Sequence, residues 1–331
     1  MKSGSMRSFR LTHELVLVLV LVGLVVMFGL IEPVFFKPRV LFDVFAIVGE
    51  IGIMALGMTY VITTGGVDLA VGYNLQMSAI LFGVTYGSTG SVFLAALAAL
   101  LTGTILGMFN GTVISQTKIP PLVTTLGTMY LFRGLSMIVA GTRTFSGFPD
   151  SFRAISSTDL FGVLPIQFLY FLAIFIVLNY FYRRGSLGRN LKGMGFNENA
   201  VIFSGVKTKQ IKFGIYTLLG LLCGFAALVY LVRLSAAKTS MGDYMNFQVI
   251  TAVLLGGTSI MGGVGSMRGT FIAVLIIGVL QKGFTLLNFS GNIFNFTLGV
   301  ILIVSLILFS LTEERKKVRP TRPDVESGAI T

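Results

Sequence analysis

The stretch "TTGGVDLAVGYNLQMS" (residues 63–78) follows an apolar run and interrupts it with glycines and one carboxylate, Asp68. A charged Asp at the centre of a bilayer costs about 2.5–3.5 kcal/mol on insertion scales, so such an acid usually faces a cavity or a partner. Asp is also a preferred helix N-cap residue, and a second apolar run begins near Leu69. The sequence leaves both interpretations open: a cap at a break between two membrane passes, or part of a polar route.

The composition around this break is that of a membrane protein. Hydrophobic residues make up 54% of the 331 residues and charged residues 11%, and the mean hydropathy is +0.88. A soluble domain of this size carries about a quarter charged residues. Several runs reach the roughly 20 apolar residues that an α-helix needs to cross a bilayer. We therefore predict an all-α, polytopic membrane protein with about ten transmembrane helices (range 8–11), formed by one transmembrane domain over residues 1–331.

Ten apolar runs define the predicted spans. They are 11–31, 44–64, 72–88, 92–116, 121–141, 162–182, 213–234, 247–263, 269–287 and 292–311. The run at 247–263 is short and rich in glycine, and each interior glycine costs about 1 kcal/mol relative to alanine, so we expect a broken or re-entrant helix there. Small residues also let membrane helices pack closely, which is the alternative role of these glycines. The predicted helix breaks are Gly65, Gly66, Gly72, Gly256, Gly257, Gly262 and Gly263.

The distribution of basic residues predicts the orientation of the chain. With the N-terminus inside, seventeen of the 25 Lys and Arg residues fall in cytoplasmic segments and five in outer loops. Cytoplasmic loops carry the excess of Lys and Arg, so residues 1–10 and the tail 312–331 are both predicted to be cytoplasmic. The basic residues thus account for the net charge of +12 without a nucleic-acid partner.

Several classes of site are excluded by what the sequence lacks. The P-loop pattern GxxxxGK[ST], which cradles nucleotide phosphates, does not occur. The single cysteine, Cys223, and the single histidine, His13, leave no metal-ligand cluster and no Ser-His pair. We expect no enzymatic activity, no cofactor and no metal site.

Arg133 is the least expected residue of the predicted fifth span, and no acid lies three or four positions from it. Its side chain could snorkel to an interface. It could instead pair with an acid on another helix, for which Asp68 and Glu50 are the candidates. The sequence does not decide between these alternatives.

Four motifs resemble those of the membrane permease subunits of bacterial ATP-binding-cassette sugar importers, the family of the ribose, xylose, galactose and autoinducer-2 permeases. The motifs occur in the family's order over residues 40–310. They are "GMTYVITTGGVDLAVG" (57–72), "IPPLVTTLGTMYLFRGL" (119–135), "GRNLKGMGFNENAVIFSGV" (188–206) and "AVLLGGTSIMGGVGSMRGT" (252–270).

The resemblance implies a bacterial inner-membrane protein with several partners. These are a periplasmic solute-binding protein, a second permease subunit that is identical or related, a cytoplasmic ATP-binding-cassette ATPase and membrane lipid. The basic stretch 183–212, which we predict to be a loop between two spans, resembles the segment that couples permease to ATPase, although Lys192, Phe196 and Val201 depart from the family pattern. The positions that match the pattern are Gly188, Arg189, Gly195, Asn197, Ala200, Ser204 and Gly205.

The family carries neutral polyhydroxylated molecules, so the resemblance implies hydrogen-bonding side chains along the translocation path. The candidates are Asp68, Asn74, Gln76, Asn110, Thr125, Arg133, Asn246 and Gln248. The alternative function is an ion-gradient-driven secondary transporter that needs no ATPase. Such proteins usually place paired acids or polar clusters at the membrane midplane, often in repeated halves, and this sequence shows scattered acids and no clear inverted repeat.

Overall fold

A computed structural model describes residues 13–155, 159–160 and 164–317 of the chain. The predicted cytoplasmic N-terminus at residues 1–10 and residues 318–331 of the predicted tail lie outside the described part. Twelve α-helices occupy the described residues. They are α1 (His13–Ile31), α2 (Pro38–Thr63), α3 (Val71–Thr89), α4 (Val92–Gln116), α5 (Pro121–Ala140), α6 (Asp150–Arg153), α7 (Ile166–Arg184), α8 (Ser186–Phe203), α9 (Thr208–Leu234), α10 (Met245–Leu255), α11 (Met267–Leu286) and α12 (Gly291–Lys317).

Each of the ten predicted spans overlaps one of these helices, which confirms the all-α polytopic fold, but only 247–255 of the predicted span 247–263 is helical. Within the described residues, seven helices are long and apolar enough to cross a membrane: α1, α2, α4, α5, α7, α9 and α11. The other three are α3, α10 with only 11 residues, and α12, in which at least residues 291–307 are apolar. The total of ten passes stays a prediction.

Helices α2 and α9 form the centre of the bundle. Every residue of α2 from 48 to 63 is buried, and α9 is buried along most of its length. Glycines bring α9 and α4 into close contact, because a Cβ atom on Gly107 would lie 2.7 Å from the Cα atom of Gly220. The spacing Gly103, Gly107, Gly111 on α4 and Gly220, Gly224 on α9 is the small-xxx-small pattern of packed membrane helices.

Two helices end inside the bundle by the same glycine motif. Gly65 follows α2 with φ +81°, and the N–H of Gly66 donates to the carbonyl oxygen of Val61 at 3.3 Å. Gly257 follows α10 with φ +87°, and the N–H of Thr258 donates to the carbonyl oxygen of Val253 at 3.3 Å. Glycine adopts this left-handed conformation without the strain that a Cβ atom causes, so it ends both helices and leaves 64–70 and 256–266 as irregular connections.

Short strands in the segments between the helices form two antiparallel pairs. Strand β1 (Phe145–Ser146) pairs antiparallel with β4 (Ala236–Ala237), with Phe145 opposite Ala237. Strand β2 (Asp159–Leu160) pairs with β3 (Leu164–Pro165), with Leu160 opposite Leu164. The predicted outer loop 143–162 therefore contains the short strands β1 and β2 and one turn of helix, α6.

Helix α5 lies at the edge of the bundle and contacts α3 and α4. Its buried positions recur about every four residues, so they form one face of the helix. They are Thr124, Thr125, Thr128, Phe132, Ser136 and Ala140. The opposite face, which includes Tyr130 and Ile138, is exposed.

Candidate functional site

Asp68 lies buried in the connection between α2 and α3. Its Oδ1 accepts a hydrogen bond from the N–H of Ala70 at 2.8 Å, and its Oδ2 accepts one from Nδ2 of Asn110 at 3.2 Å. The N-cap residue of α3 is Ala70, because the helix begins at Val71. Asp68 therefore closes the turn immediately before α3. It is not the N-cap as predicted, because the helix begins at Val71, two positions after the predicted start near Leu69.

The predicted path residues near Asp68 are buried and bonded to protein groups. Thr125 donates to the carbonyl oxygen of Val67 at 3.1 Å, and Nδ2 of Asn74 donates to that of Gly103 at 3.2 Å. Nε2 of Gln76 donates to the hydroxyl of Ser136, and its Oε1 accepts from the N–H of Gly242 at 3.0 Å. These side chains and Asn110 thus link α3, α4, α5 and the loop before α10 by hydrogen bonds around the break. In this conformation they support the site and do not line an open path.

Asn246 and Gln248 take different environments on α10. Asn246 is buried, with Nδ2 3.6 Å from the sulfur of Met129 on α5. Gln248 is half-buried. Residues two positions apart lie on nearly opposite sides of a helix, since each position turns by about 100°. The structure therefore does not bring these two side chains to one surface.

Arg133 lies beside an acid that the sequence did not identify. Its Nη2 is 4.0 Å from Oδ1 of Asp243, and its guanidinium carbon is 5.7 Å from the centre of the Tyr73 ring. The Tyr73 hydroxyl donates to the same Oδ1 at 2.9 Å. Both predicted partners are wrong, because Asp68 bonds to Asn110, and Glu50 pairs with Arg233. Asp243 lies 110 positions from Arg133 in a loop, so no helical spacing rule could have found it.

A close backbone contact holds Tyr73 and Asp243 together. A Cβ atom on Gly72 would lie 2.6 Å from the carbonyl oxygen of Gly242, so only glycine permits this approach. Gly72 is the second residue of α3, so the prediction that Gly72 is a helix break is wrong. Its role is to let the first turn of α3 contact the loop before α10.

The predicted coupling segment contains a kinked helix. Helix α8 is interrupted at Asn197, which has φ −159° and ψ 96°. Oδ1 of Asn197 accepts from the N–H of Ala200 at 3.1 Å, so Asn197 caps the second half of the helix. Gly205, with φ +81°, follows the end of α8, where Ser204 donates its hydroxyl to the carbonyl oxygen of Ala200 at 3.0 Å. The kink and both helix ends thus come from local polar and glycine residues.

Most of the predicted coupling positions are on the surface of α8 or directly after it. The exposed ones are Arg189, Asn197, Ala200, Ser204 and Gly205. Gly188 is buried against the backbone carbonyl of Tyr182. Two exposed aromatic side chains that sequence reasoning did not select, Phe196 and Phe203, project from the same helix.

Gly195 of α8 contacts both irregular connections. A Cβ atom on it would overlap the backbone N of Gly263 and the backbone O of Thr63. These two atoms are themselves joined by a hydrogen bond of 2.8 Å. Gly262 and Gly263 have φ values of +85° and +79°, and a Cβ atom on Gly262 would lie 2.6 Å from the N of Gly65. We call Thr63, Gly65, Gly195, Gly262 and Gly263 the glycine junction.

The two remaining predicted break residues also lie against neighbouring backbone or side chains. A Cβ atom on Gly66 would lie 2.6 Å from the hydroxyl of Tyr216, and one on Gly256 would overlap the N of Thr270.

Among the described residues, no group of three or more His, Cys, Asp or Glu side chains could hold a metal ion.

Broken helices around a buried polar cluster, with a kinked polar helix between two spans, define a membrane transport protein. The family described as "Branched-chain amino acid transport system / permease component" matches residues 40–306. The chain belongs to this family of permease components, and it is the transmembrane subunit of an ATP-binding-cassette importer. The ion-gradient-driven alternative is not favoured. In this family ATP is hydrolysed by separate subunits, and the chain is a multi-pass protein of the inner membrane.

The relatives agree with this assignment. The chain is 33% identical to the autoinducer 2 import system permease protein LsrD of Klebsiella pneumoniae subsp. pneumoniae, over 94% of this chain and 96% of the relative. The LsrD proteins of Enterobacter sp. (strain 638) and Escherichia coli (strain K12) are also 33% identical, over 94% and 92% of this chain and 96% and 94% of theirs. The predicted family resemblance is therefore confirmed. No solved structure matches the chain.

Proposed function

We propose that the chain forms the translocation path for a neutral, polyhydroxylated solute of the monosaccharide type. A periplasmic binding protein delivers the solute, and cytoplasmic ATPase subunits drive its import. The glycine junction is the observation that carries this proposal, because it joins the polar helix α8 to the two breaks inside the bundle. A displacement of α8 by an ATPase is transmitted directly to the backbone beside Asp68.

The solute class rests on the relatives and on the charge of the core. The relatives are named for the import of autoinducer 2, whereas the family description names branched-chain amino acids. The side chains around the break are mainly amides and hydroxyls, namely Asn74, Gln76, Asn110 and Thr125. In this conformation these groups bond to protein atoms beside the proposed path, and a core of neutral polar groups suits a neutral hydroxylated solute better than a charged one.

The surface of α8 suits a protein partner. The exposed fractions of Phe196 and Phe203 are 72% and 91%, on a helix that is otherwise mainly polar. Exposed aromatic side chains beside charged ones such as Arg189 are typical of interaction surfaces. We assign this surface to the ATPase and propose that α8 and both termini lie in the cytoplasm, which the distribution of basic residues supports.

A second permease subunit, identical or related, completes the path in this proposal. Helix α5 buries one face against α3 and α4, its opposite face exposes Tyr130, and the charged Arg133 lies at the border between the two. A surface with a charge in the middle of a span is unsuited to lipid. We place the second subunit and the path on this side of the bundle, and lipid around α1 and the exposed side of α4.

Co-purification of the full chain with the ATPase tests this proposal. A tagged chain, expressed with the ATPase and extracted in mild detergent, is expected to retain the ATPase, and the double variant Phe196→Ser/Phe203→Ser is expected to lose it. Phe93→Ser is the matched control, since Phe93 of α4 is 75% exposed, close to the 72% of Phe196. A wild-type chain that retains no ATPase contradicts the proposal. Loss of the ATPase in the Phe93 variant as well contradicts the assignment of the surface to α8.

A further inference from the structure

Arg133, Asp243, Tyr73 and Tyr130 form a cluster that none of the recognised sequence motifs explains as a group. The Asp243 carboxylate accepts from Tyr73 at 2.9 Å and lies 4.0 Å from Arg133. Tyr130 lies three positions before Arg133 on α5, so the two side chains share one face of that helix. We call these four residues the Arg133 cluster.

The cluster lies well inside the thickness of a membrane. Helix α5 has 20 residues, which span about 30 Å at 1.5 Å per residue, the thickness of the hydrocarbon core. Arg133 is the thirteenth of them, about 18 Å from the start of the helix and about 10 Å from its end. Asp243 reaches the same level because the loop between β4 and α10 contacts Tyr73 of α3 and Arg133 of α5.

The charged groups of the cluster are accessible, unlike those of the ion pair in the bundle centre. The side chains of Arg133 and Asp243 are 40% and 32% exposed, whereas the carboxylate side chain of Glu50, which pairs with Arg233, is 1% exposed. Nε of Arg133 is itself buried and, within the described residues, has no hydrogen-bond partner, so the accessible part of the side chain is its outer end. A charged group that faces hydrocarbon at this depth costs several kcal/mol, so this surface faces water or a polar occupant.

We propose that the Arg133 cluster is a solute-binding site for a neutral molecule with neighbouring hydroxyl groups. The carboxylate of Asp243 accepts hydrogen bonds from the solute hydroxyls, and the guanidinium of Arg133 donates to them. The exposed ring of Tyr130 offers an apolar face to the carbon skeleton, as in other ligand sites that combine aromatic walls with a few polar groups. This inference rests on the proposed function and names the residues that recognise the solute.

The opposite charges of the cluster favour a neutral solute. Arg133 and Asp243 are close enough to compensate each other, so the unoccupied site has no net charge. A free anion is attracted by Arg133 but repelled by Asp243, and a free cation the reverse, so neither gains a large net attraction from the pair. A zwitterionic amino acid could satisfy both groups, so leucine serves as the competing probe in the experiment below.

Thiol labelling tests whether the surface around the Arg133 cluster is accessible to water. Tyr130→Cys is compared with Ile105→Cys in the assembled transporter, because Tyr130 and Ile105 are 61% and 60% exposed and Ile105 lies near the middle of α4. The native Cys223 is fully buried and adds no background. A charged, water-soluble methanethiosulfonate is expected to label the Tyr130 variant at least tenfold faster, because it reacts with hydrated thiolate. Equal rates at the two positions overturn the inference.

Transport kinetics test solute recognition. Binding proteins and ATPase are supplied, and the probes are radiolabelled D-ribose, D-xylose, D-galactose, autoinducer 2 and leucine. Asp243→Asn is expected to raise the KM of the imported hydroxylated solute about 10- to 100-fold, as expected for the loss of a charged hydrogen bond. It is also expected to reduce discrimination against deoxy analogues of that solute, which a structural role would not do. Asp43→Asn, which removes the exposed Asp43–Lys282 ion pair, is the control and is expected to leave both quantities unchanged.

The outcomes separate this inference from the proposed function. If the wild-type complex imports a hydroxylated solute and Asp243→Asn keeps the KM and the discrimination against deoxy analogues, the inference is wrong and the proposed function stands. If the wild-type complex imports leucine and none of the hydroxylated probes, the proposed solute class and the inference are both wrong.

Discussion

Substitution of Gly195 by alanine perturbs the contact on which the coupling proposal depends. The added Cβ atom would overlap the backbone N of Gly263 and the backbone O of Thr63, which are joined by a 2.8 Å hydrogen bond. Backbone atoms cannot rotate away as the end of a side chain can. Helix α8 must therefore move away from both breaks, or the bond between the breaks must lengthen.

The expected cost follows from these contacts. Overpacking by one methyl group costs about 1–3 kcal/mol, and the loss of one hydrogen bond adds about 0.5–1.5 kcal/mol. We expect the Gly195→Ala variant to lose about 2–4 kcal/mol of unfolding free energy. We also expect ATP hydrolysis to continue while solute uptake per ATP falls, because the ATPase still docks on the outer surface of α8.

The assay is uptake and ATP hydrolysis measured on the same proteoliposomes, with thermal unfolding of the purified complex in parallel. Gly214→Ala is the control, since nothing lies within 4 Å of the site of its Cβ atom on α9. Alanine in a helix at an open position is expected to be neutral or to stabilise by about 0.4–1 kcal/mol. A Gly195→Ala complex with wild-type unfolding temperature and wild-type uptake per ATP would refute the role of the glycine junction.

Substitutions at three further residues test the buried polar contacts. Asp68→Asn is expected to retain uptake, because its amide oxygen still accepts from the backbone and Asn110 can turn its unpartnered Oδ1 toward the new amide. Asp68→Ala is expected to lower the unfolding free energy by about 2–4 kcal/mol. Complete loss of uptake in the Asp68→Asn variant contradicts a structural role of Asp68. Glu50→Ala leaves the half-buried Arg233 without its carboxylate partner and is expected to cost about 3 kcal/mol in unfolding free energy. Recovery is expected when Arg233 is also replaced by Leu. Gln76→Leu removes its bonds to Ser136 and Gly242 and is expected to cost about 2–3 kcal/mol, so an unchanged unfolding temperature opposes this assignment.

The sequence predicted the helices best where local signals are strong. The predicted span 92–116 has the same ends as α4, because Ser91 accepts a hydrogen bond from the N–H of Leu94 as an N-cap and a uniform apolar run follows. The end of α2 was visible in the pair Gly65 and Gly66, since glycine at positive φ commonly ends helices. These features depend on residues close together in the chain.

The sequence did not predict features that depend on distant contacts. Helix α8 is polar and contains glycines, so hydropathy and propensity both favoured a loop, and packing of Gly188 and Gly195 against other segments supports the helix instead. The partner of Arg133 was missed because Asp243 approaches it only through the contact between Gly72 and Gly242. No local pattern encodes such a contact.

Transport by purified components tests the central claim most directly. The chain is reconstituted in proteoliposomes with its ATPase, the solute-loaded binding protein is added on the side opposite the ATPase, and ionophores collapse every ion gradient. The proposed function predicts uptake that requires ATP on the ATPase side and persists with the ionophores. Uptake by the chain alone, driven by a proton or sodium gradient and abolished by ionophores, would contradict it.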